Sequence, residues 1–302
     1  MLIGWLSRPT PAVAALLMAI TSLCWSGNFV VGRWAAGRIP PLTLSCLRWV
    51  LASLVMLALC APYLKRDWPA VRAHWGLMVL FALTGAGFFN ALQYMALGFT
   101  TATSAAVINS SAPVLIAISC FLLFGDRVGA RQAVGIGVSL AGVLIVIGRG
   151  SPAALAGLGL NIGDLLMLMA MVIASVYAAY MRKKPAVHPL TFAFVTFAIS
   201  GVANMPLMAG ELAMGAHVEV SGSTLLAVAY VAIVPSVIAY LCFNRGIEIL
   251  GGARAGVFLH LIPLFTSVLA MLLLGERPQV FHAIGFALIL AGIWVATRRT
   301  EA

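Results

Sequence analysis

Apolar runs bounded by charged residues, proline and glycine recur along the whole chain, at 12–31, 42–62, 75–97, 101–123, 131–148, 161–181, 190–209, 223–245, 252–274 and 280–297. Each is close to the roughly 20 residues a helix needs to cross a bilayer. Backbone in hydrocarbon must satisfy its hydrogen bonds internally, so runs of this length read as helices. The pattern predicts an all-α integral membrane protein with ten transmembrane helices. The first run follows Arg8 and has the outline of a secretion signal. Nine further runs demand membrane residence whether or not it is removed, and it is read as uncleaved.

The pattern also repeats. At an offset of 150 residues, Pro113 falls on Pro263, Gly125-Asp126-Arg127 on Gly275-Glu276-Arg277, and Leu140-Ala141-Gly142 on Leu290-Ala291-Gly292. Between 105 and 142 there are 12 identities in 38 positions without a gap. Pro41-Leu42-Thr43 and Pro189-Leu190-Thr191 open the second and seventh runs alike, at an offset of 148. Residues 1–150 are thus one five-helix repeat and 151–302 its copy. Five is odd, so the copies enter the membrane in opposite senses. Inverted repeats of this kind exchange conformations about a shared site, which is the basis of alternating access.

Composition sharpens this. Of 302 residues, 63% are hydrophobic and 9% charged, with mean hydropathy +1.08. That leaves too little polar surface for a soluble catalytic domain, a nucleic-acid-binding module or an appended nucleotide-binding domain. The net charge of +10 serves orientation instead. With the N-terminus inside, four of the 18 basic residues fall outside (Arg33, Arg38, Arg149, Arg277), Arg48 lies within a span, and the rest are internal. Both termini are therefore expected in the cytoplasm, with the chain multi-pass in the inner (plasma) membrane. The five cysteines (Cys24, Cys46, Cys60, Cys120, Cys242) lie within apolar runs without metal-ligand spacing and read as small core residues. No cofactor or metal is expected. The expected partners are a small-molecule substrate and the lipid bilayer, with no nucleic acid, and the chain acts as a monomer or homodimer.

Trp25-Ser26-Gly27-Asn28-Phe29, Leu47-Arg48-Trp49, and the two copies of proline followed by glycine, acid and arginine, each with a glycine-rich tail (Gly135 to Gly142, Gly285 to Gly292), resemble the drug/metabolite transporter superfamily, EamA type. The resemblance covers nearly the whole chain. It implies a ten-helix carrier that exports amino acids, other metabolites or drugs; aromatic amino acid exporters belong to this group. Asp126, where the pattern usually has Glu, is a mild departure.

Candidate site residues follow from depth. Proline within a helix frees the carbonyl four residues earlier, here those of Asn109 and Leu259. Such carbonyls need a neighbouring helix, water or a ligand. Pro113 and Pro263 are therefore candidate hinges, and packing kinks on the bland reading. Asn109 and Ser110 lie beside Pro113. His260, at the repeat position of Ser110, is read as the one deep histidine, since His74, His188, His217 and His282 fall at helix ends or in loops. An ionisable group at that depth is a functional candidate, although a core histidine bonded to a carbonyl is the competing reading. Trp25, Asn28, Phe29, Asn90 and Tyr94 are expected to line an outer gate, and Tyr177, Tyr180, Tyr240 and Asn244 an inner one. Belt and helix-packing roles compete for such residues, as for Trp34, Trp68 and Trp75. Arg48 is assigned a structural role in preference to binding a substrate carboxylate, through carbonyls, a helix C-terminus or snorkelling. The glycines spaced by seven are read as packing faces, within the chain or between subunits.

All eight acids map to loops or helix ends, which argues against a carboxylate proton relay and for downhill or weakly coupled export. The chain lacks H-E-x-x-H, G-x-G-D, G-x-S-G and a Walker-type loop, so a membrane-embedded enzyme or ATP-driven pump is disfavoured. No charged ring or filter suggests a channel. A nucleotide-sugar or sugar-phosphate exchanger needs several deep basic residues, and only Arg48 lies inside a span. The sequence thus points to an exporter of amino acids, hydrophobic and aromatic ones included, with toxic analogues as further substrates.

Overall fold

A computed structural model describes residues 10–126, 129–151, 161–250 and 258–297. Arg127 of the repeated motif, and the ends of the chain, lie outside the described residues. Among the described residues all regular structure is helical: α1 (Pro11–Ala35), α2 (Pro41–Ala73), α3 (Trp75–Phe99), α4a (Ala102–Asn109) with α4b (Ala112–Phe124), α5 (Ala130–Ile147), α6 (Ile162–Tyr180), α7 (Pro189–Ala213), α8 (Gly222–Leu250), α9 (Leu261–Leu274) and α10 (Val280–Thr297). Seven of these are long and apolar enough to span a membrane. The pair α4a and α4b, bent by 45°, makes an eighth, and α9 and α10 are shorter apolar helices at the ninth and tenth expected positions. Leu122 and Leu272, repeat equivalents on α4b and α9, are 72% and 70% exposed, as a lipid-facing surface requires.

The repeat is visible in the packing. Helices α2 and α7 pair antiparallel, and each receives its N-terminal cap from the far end of the other. Glu211 accepts from the Leu42 and Thr43 amides (3.1 and 2.8 Å) and the Thr43 hydroxyl, while Asp67 accepts from the His188 amide (2.8 Å). A carboxylate at a helix N-terminus meets both the free amides and the helix dipole. Helices α5 and α10 likewise cross antiparallel through glycine. A Cβ at Gly142 would lie 2.6 Å from the Gly285 carbonyl oxygen, and one at Gly292 would lie 2.5 Å from that of Gly135. Four glycines spaced by seven therefore join the two repeats within one chain. Equivalent helices that meet antiparallel at swapped equivalent residues are what an inverted duplication produces.

Three expectations are corrected. The second helix does not stop at 62 but continues to Ala73 through Pro62 and Pro69, carrying Lys65, Arg66 and Asp67 on a helical extension. Prolines and charges end a membrane-buried run, whereas past the bilayer edge water can hydrate the freed carbonyls. Pro113 does not sit mid-helix, since the chain breaks at Ser110-Ser111 and Pro113 occupies the first turn of α4b, where a missing amide costs nothing. Pro263 similarly lies in the first turn of α9, with His260 at the N-cap. The Leu259 carbonyl is accordingly not free, because it accepts from the Ile262 amide at 3.1 Å.

Helices α3 and α8 each contain a π-helical turn that the apolar pattern did not show, Leu83–Gly87 and Val234–Ile238, at equivalent places in the two repeats. Such bulges interrupt the hydrogen-bond ladder and often mark functional sites. Each packs on the other repeat: Tyr177 of α6 lies against Gly85, and Trp25 of α1 donates from Nε1 to the Pro235 carbonyl (3.0 Å).

A buried arginine at the repeat interface

The second residue of the α8 bulge is a proline. Pro235 has no amide to offer Val231, and the Ser236 hydroxyl donates to that carbonyl instead, at 2.8 Å. Its hydrogen is thereby committed, and Ser236 Oγ presents lone pairs to the neighbouring helix. Arg48 of α2 donates to it from Nε at 2.8 Å.

Three further acceptors converge on Arg48 Nη1: Asn28 Oδ1 at 2.9 Å, Asn90 Oδ1 at 2.7 Å and the Tyr94 hydroxyl at 2.8 Å. Their polarity is set by their other bonds. Asn90 Nδ2 donates to the Ala86 carbonyl in the α3 bulge, which turns its oxygen toward Arg48, and Tyr94 donates onward to Asn28 Oδ1. The guanidinium also lies over the Trp49 ring, 4.5 Å from its centroid. Arg48 is 4% exposed, and all four of its hydrogen-bond partners are buried and neutral. The ion pairs among the described residues (Arg38–Glu219, Arg66–Asp67, Arg182–Asp126, Arg245–Glu248) do not reach it. Each described acid lies at or near a helix end; Arg182, for example, holds the exposed Asp126 carboxyl below the usual carboxylate range through a hydrogen bond.

The Trp25 to Phe29 motif builds the facing wall. Ser26 donates to the Ile262 carbonyl (3.0 Å) and Ser22, one turn earlier, to that of Phe258 (2.8 Å), tying α1 to the start of α9. Gly27 leaves room for the Tyr230 hydroxyl, which would lie 1.9 Å from a Cβ there. Asn28 then faces Arg48.

The EamA-like transporter family matches this chain twice, over residues 12–148 and 161–298. The chain belongs to the EamA-like transporter family. Similar relatives span its length: an uncharacterized transporter of Archaeoglobus fulgidus is 28% identical, covering 94% of this chain and 97% of its own. A probable amino-acid metabolite efflux pump of Escherichia coli is 25% identical, with coverages of 94% and 93%. A crystal structure sharing 23% identity superposes with a TM-score of 0.62 over 95% of this chain and 97% of the other, which supports the fold.

Within this EamA fold the expected site residues separate. Asn28, Asn90 and Tyr94 come together, around Arg48 and Ser236, which the sequence reading left out of the site. Their sequence signals were an arginine inside a span and a proline inside another. Trp25 is engaged by the α8 bulge and packs on Phe243. Tyr240 donates to the Pro189 carbonyl (3.1 Å), Tyr177 packs edge-on to Phe81, and Asn244 is half-buried with an unpaired Nδ2. Asn109 and His260 are half-buried beside the helix breaks, and Ser110 returns its hydroxyl to the Ala106 carbonyl. His260 is not the one deep histidine. His282 is 7% exposed, accepting at Nδ1 from the Gln279 amide and bonding Ser104 through Nε2. It sits at a helix end, yet that end is packed inside the bundle.

Proposed function

We propose that the chain is an alternating-access carrier that exports amino acids, hydrophobic and aromatic ones included, across the inner membrane with both termini in the cytoplasm. The observation that carries this reading is the polar cluster at the repeat interface, where α1, α2 and α3 of one repeat meet α8 of the other around a buried, acid-free cation. Binding sites of inverted-repeat carriers lie at such interfaces, and broken helices and bulges provide the joints about which the halves rock. An aromatic row runs from beside Arg48: Trp49 to Phe197 at 4.7 Å between centroids, and Phe197 to Tyr240 at 5.9 Å. It offers an apolar side chain a surface next to the charge. The Escherichia coli relative supports amino-acid metabolites as the substrate class. Pro113 and Pro263 serve as hinges. Asn109, Ser110, His260, Trp25, Tyr177, Tyr240 and Asn244 contact substrate or its path as the halves exchange.

Counterflow in proteoliposomes against amino acids, nucleotide sugars and organic cations tests the substrate class. Exchange of amino acids is expected; exchange of nucleotide sugars alone would overturn it.

A further inference from the structure

Arg48 carries five N–H donors, and the protein uses them unevenly. Nε has one acceptor, and three acceptors crowd the two hydrogens of Nη1. Nη2 has no hydrogen bond to any described residue. A second donor nearby is also unused, since the Trp49 indole Nε1 is buried without a partner and its ring stacks on the guanidinium. The cluster thus has surplus donors and one positive charge, with no anion. The Trp49 N–H is a buried donor left unpaired, and beside an unbalanced positive charge with an unused Nη2 it requires a reason.

The pseudo-symmetry sharpens the point. At the offset of 148 that relates the two Pro-Leu-Thr starts, Arg48 corresponds to Thr196, whose hydroxyl returns to its own helix at the Phe192 carbonyl (2.8 Å). The second repeat makes no interhelical hydrogen bond from this position, so the fold of a repeat does not require one there. The charge belongs to one side of the interface only.

We infer that the free Nη2 edge of Arg48, with Trp49 Nε1 beside it, binds the carboxylate of the transported molecule. The neutral acceptors on Nε and Nη1 hold the guanidinium in place without neutralising it, so the counter-charge arrives with the ligand. A carboxylate oxygen accepts a charge-assisted bond from Nη2, and the low-dielectric surroundings strengthen the pair. This deepens the carrier reading and rests on it.

The test is thermal unfolding of the full chain in detergent with L-phenylalanine, L-leucine and 3-phenylpropionate, each beside its neutral amide, and with inorganic phosphate. The acids are expected to raise Tm and the amides are not. Arg48→Gln should weaken the response to the acids roughly tenfold or more, with Arg48→Lys intermediate because it keeps the charge but loses the Nε and Nη1 bonds that hold it in place. Trp49→Phe removes the unpartnered N–H and also trims packing on Phe197 and the guanidinium, so it should lower the ligand-free Tm modestly. Measured against its own ligand-free Tm, it should respond less to the acids and no differently to the amides, a selectivity that lost packing alone does not produce. Equal responses to acid and amide, a response to phosphate alone, no response to any acid, or an undiminished response in both Arg48→Gln and Trp49→Phe would each overturn the assignment. Counterflow separates the two readings. Exchange restricted to organic cations removes the carboxylate subsite and keeps the carrier, whereas acid-specific stabilisation without any exchange keeps the subsite and removes the carrier.

Discussion

A histidine's depth along a helix and its burial in the bundle are different quantities, and His260 and His282 separate them. His282 lies near the start of α10 yet has both ring nitrogens engaged, Nδ1 as acceptor and Nε2 toward Ser104 of α4a. Gln279 fixes the neutral tautomer, so His282 reads as a tie between helices. His260 is half-buried at the N-cap of α9, beside the carbonyls that Ser22 and Ser26 engage. His282→Ala should therefore lower stability by about 1–3 kcal/mol, seen as a lower Tm in detergent, because the Ser104 and Gln279 partners are left unpaired. His260→Ala should leave Tm near its original value and reduce transport. Reduced stability and normal flux in the His260 variant would assign it to packing.

At the scale of elements, α5 and α10 show how small residues act where lipid removes the hydrophobic drive for helix association. Backbones approach closely enough that an added methyl group meets main-chain atoms, which cannot move aside as a flexible side chain does. At Gly292 a Cβ would lie 2.5 Å from both the Gly135 carbonyl oxygen and the Ser139 amide nitrogen. Gly292→Ala is thus expected to destabilise by about 1–3 kcal/mol. Gly76→Ala, with open space around it, should leave Tm unchanged or slightly raised. Comparable unfolding of the two variants would show that the crossing tolerates separation. The acid caps at Asp67 and Glu211 were legible only as helix-end charges. That each serves the start of the other repeat's helix needed the antiparallel pairing of α2 with α7.

For the whole molecule, the placement of charge bears on coupling. The described acids stand at or near helix ends, and the deep cation is an arginine. The buried carboxylates Asp67, Asp164 and Glu211 and the buried His282 are each held by hydrogen bonds at helix ends, away from the Arg48 cluster, which leaves His260 as the group without such a tie. Uptake into proteoliposomes is accordingly expected to proceed down a substrate gradient with or without an imposed pH gradient; strict dependence on the pH gradient would refute downhill carriage and return attention to His260.

Ten apolar runs, their duplication and the odd number per half were sufficient to read a ten-element, twofold inverted membrane fold, because bilayer thickness and backbone satisfaction leave a helix few alternatives. Local chemistry likewise announced the helix starts at Pro41 and Pro189 and the glycine faces. The partners of Arg48 were another matter. Asn28, Asn90 and Tyr94 share one repeat with it, but Ser236 is 188 residues away and faces it only because Pro235 sits in a π-helical turn. Depth along a helix follows from sequence order, whereas which face meets which neighbour depends on helix rotation, bulges and breaks. That is why outer and inner sets of residues were anticipated, while the single acid-free cluster, with its donors left over, was decided by the tertiary structure.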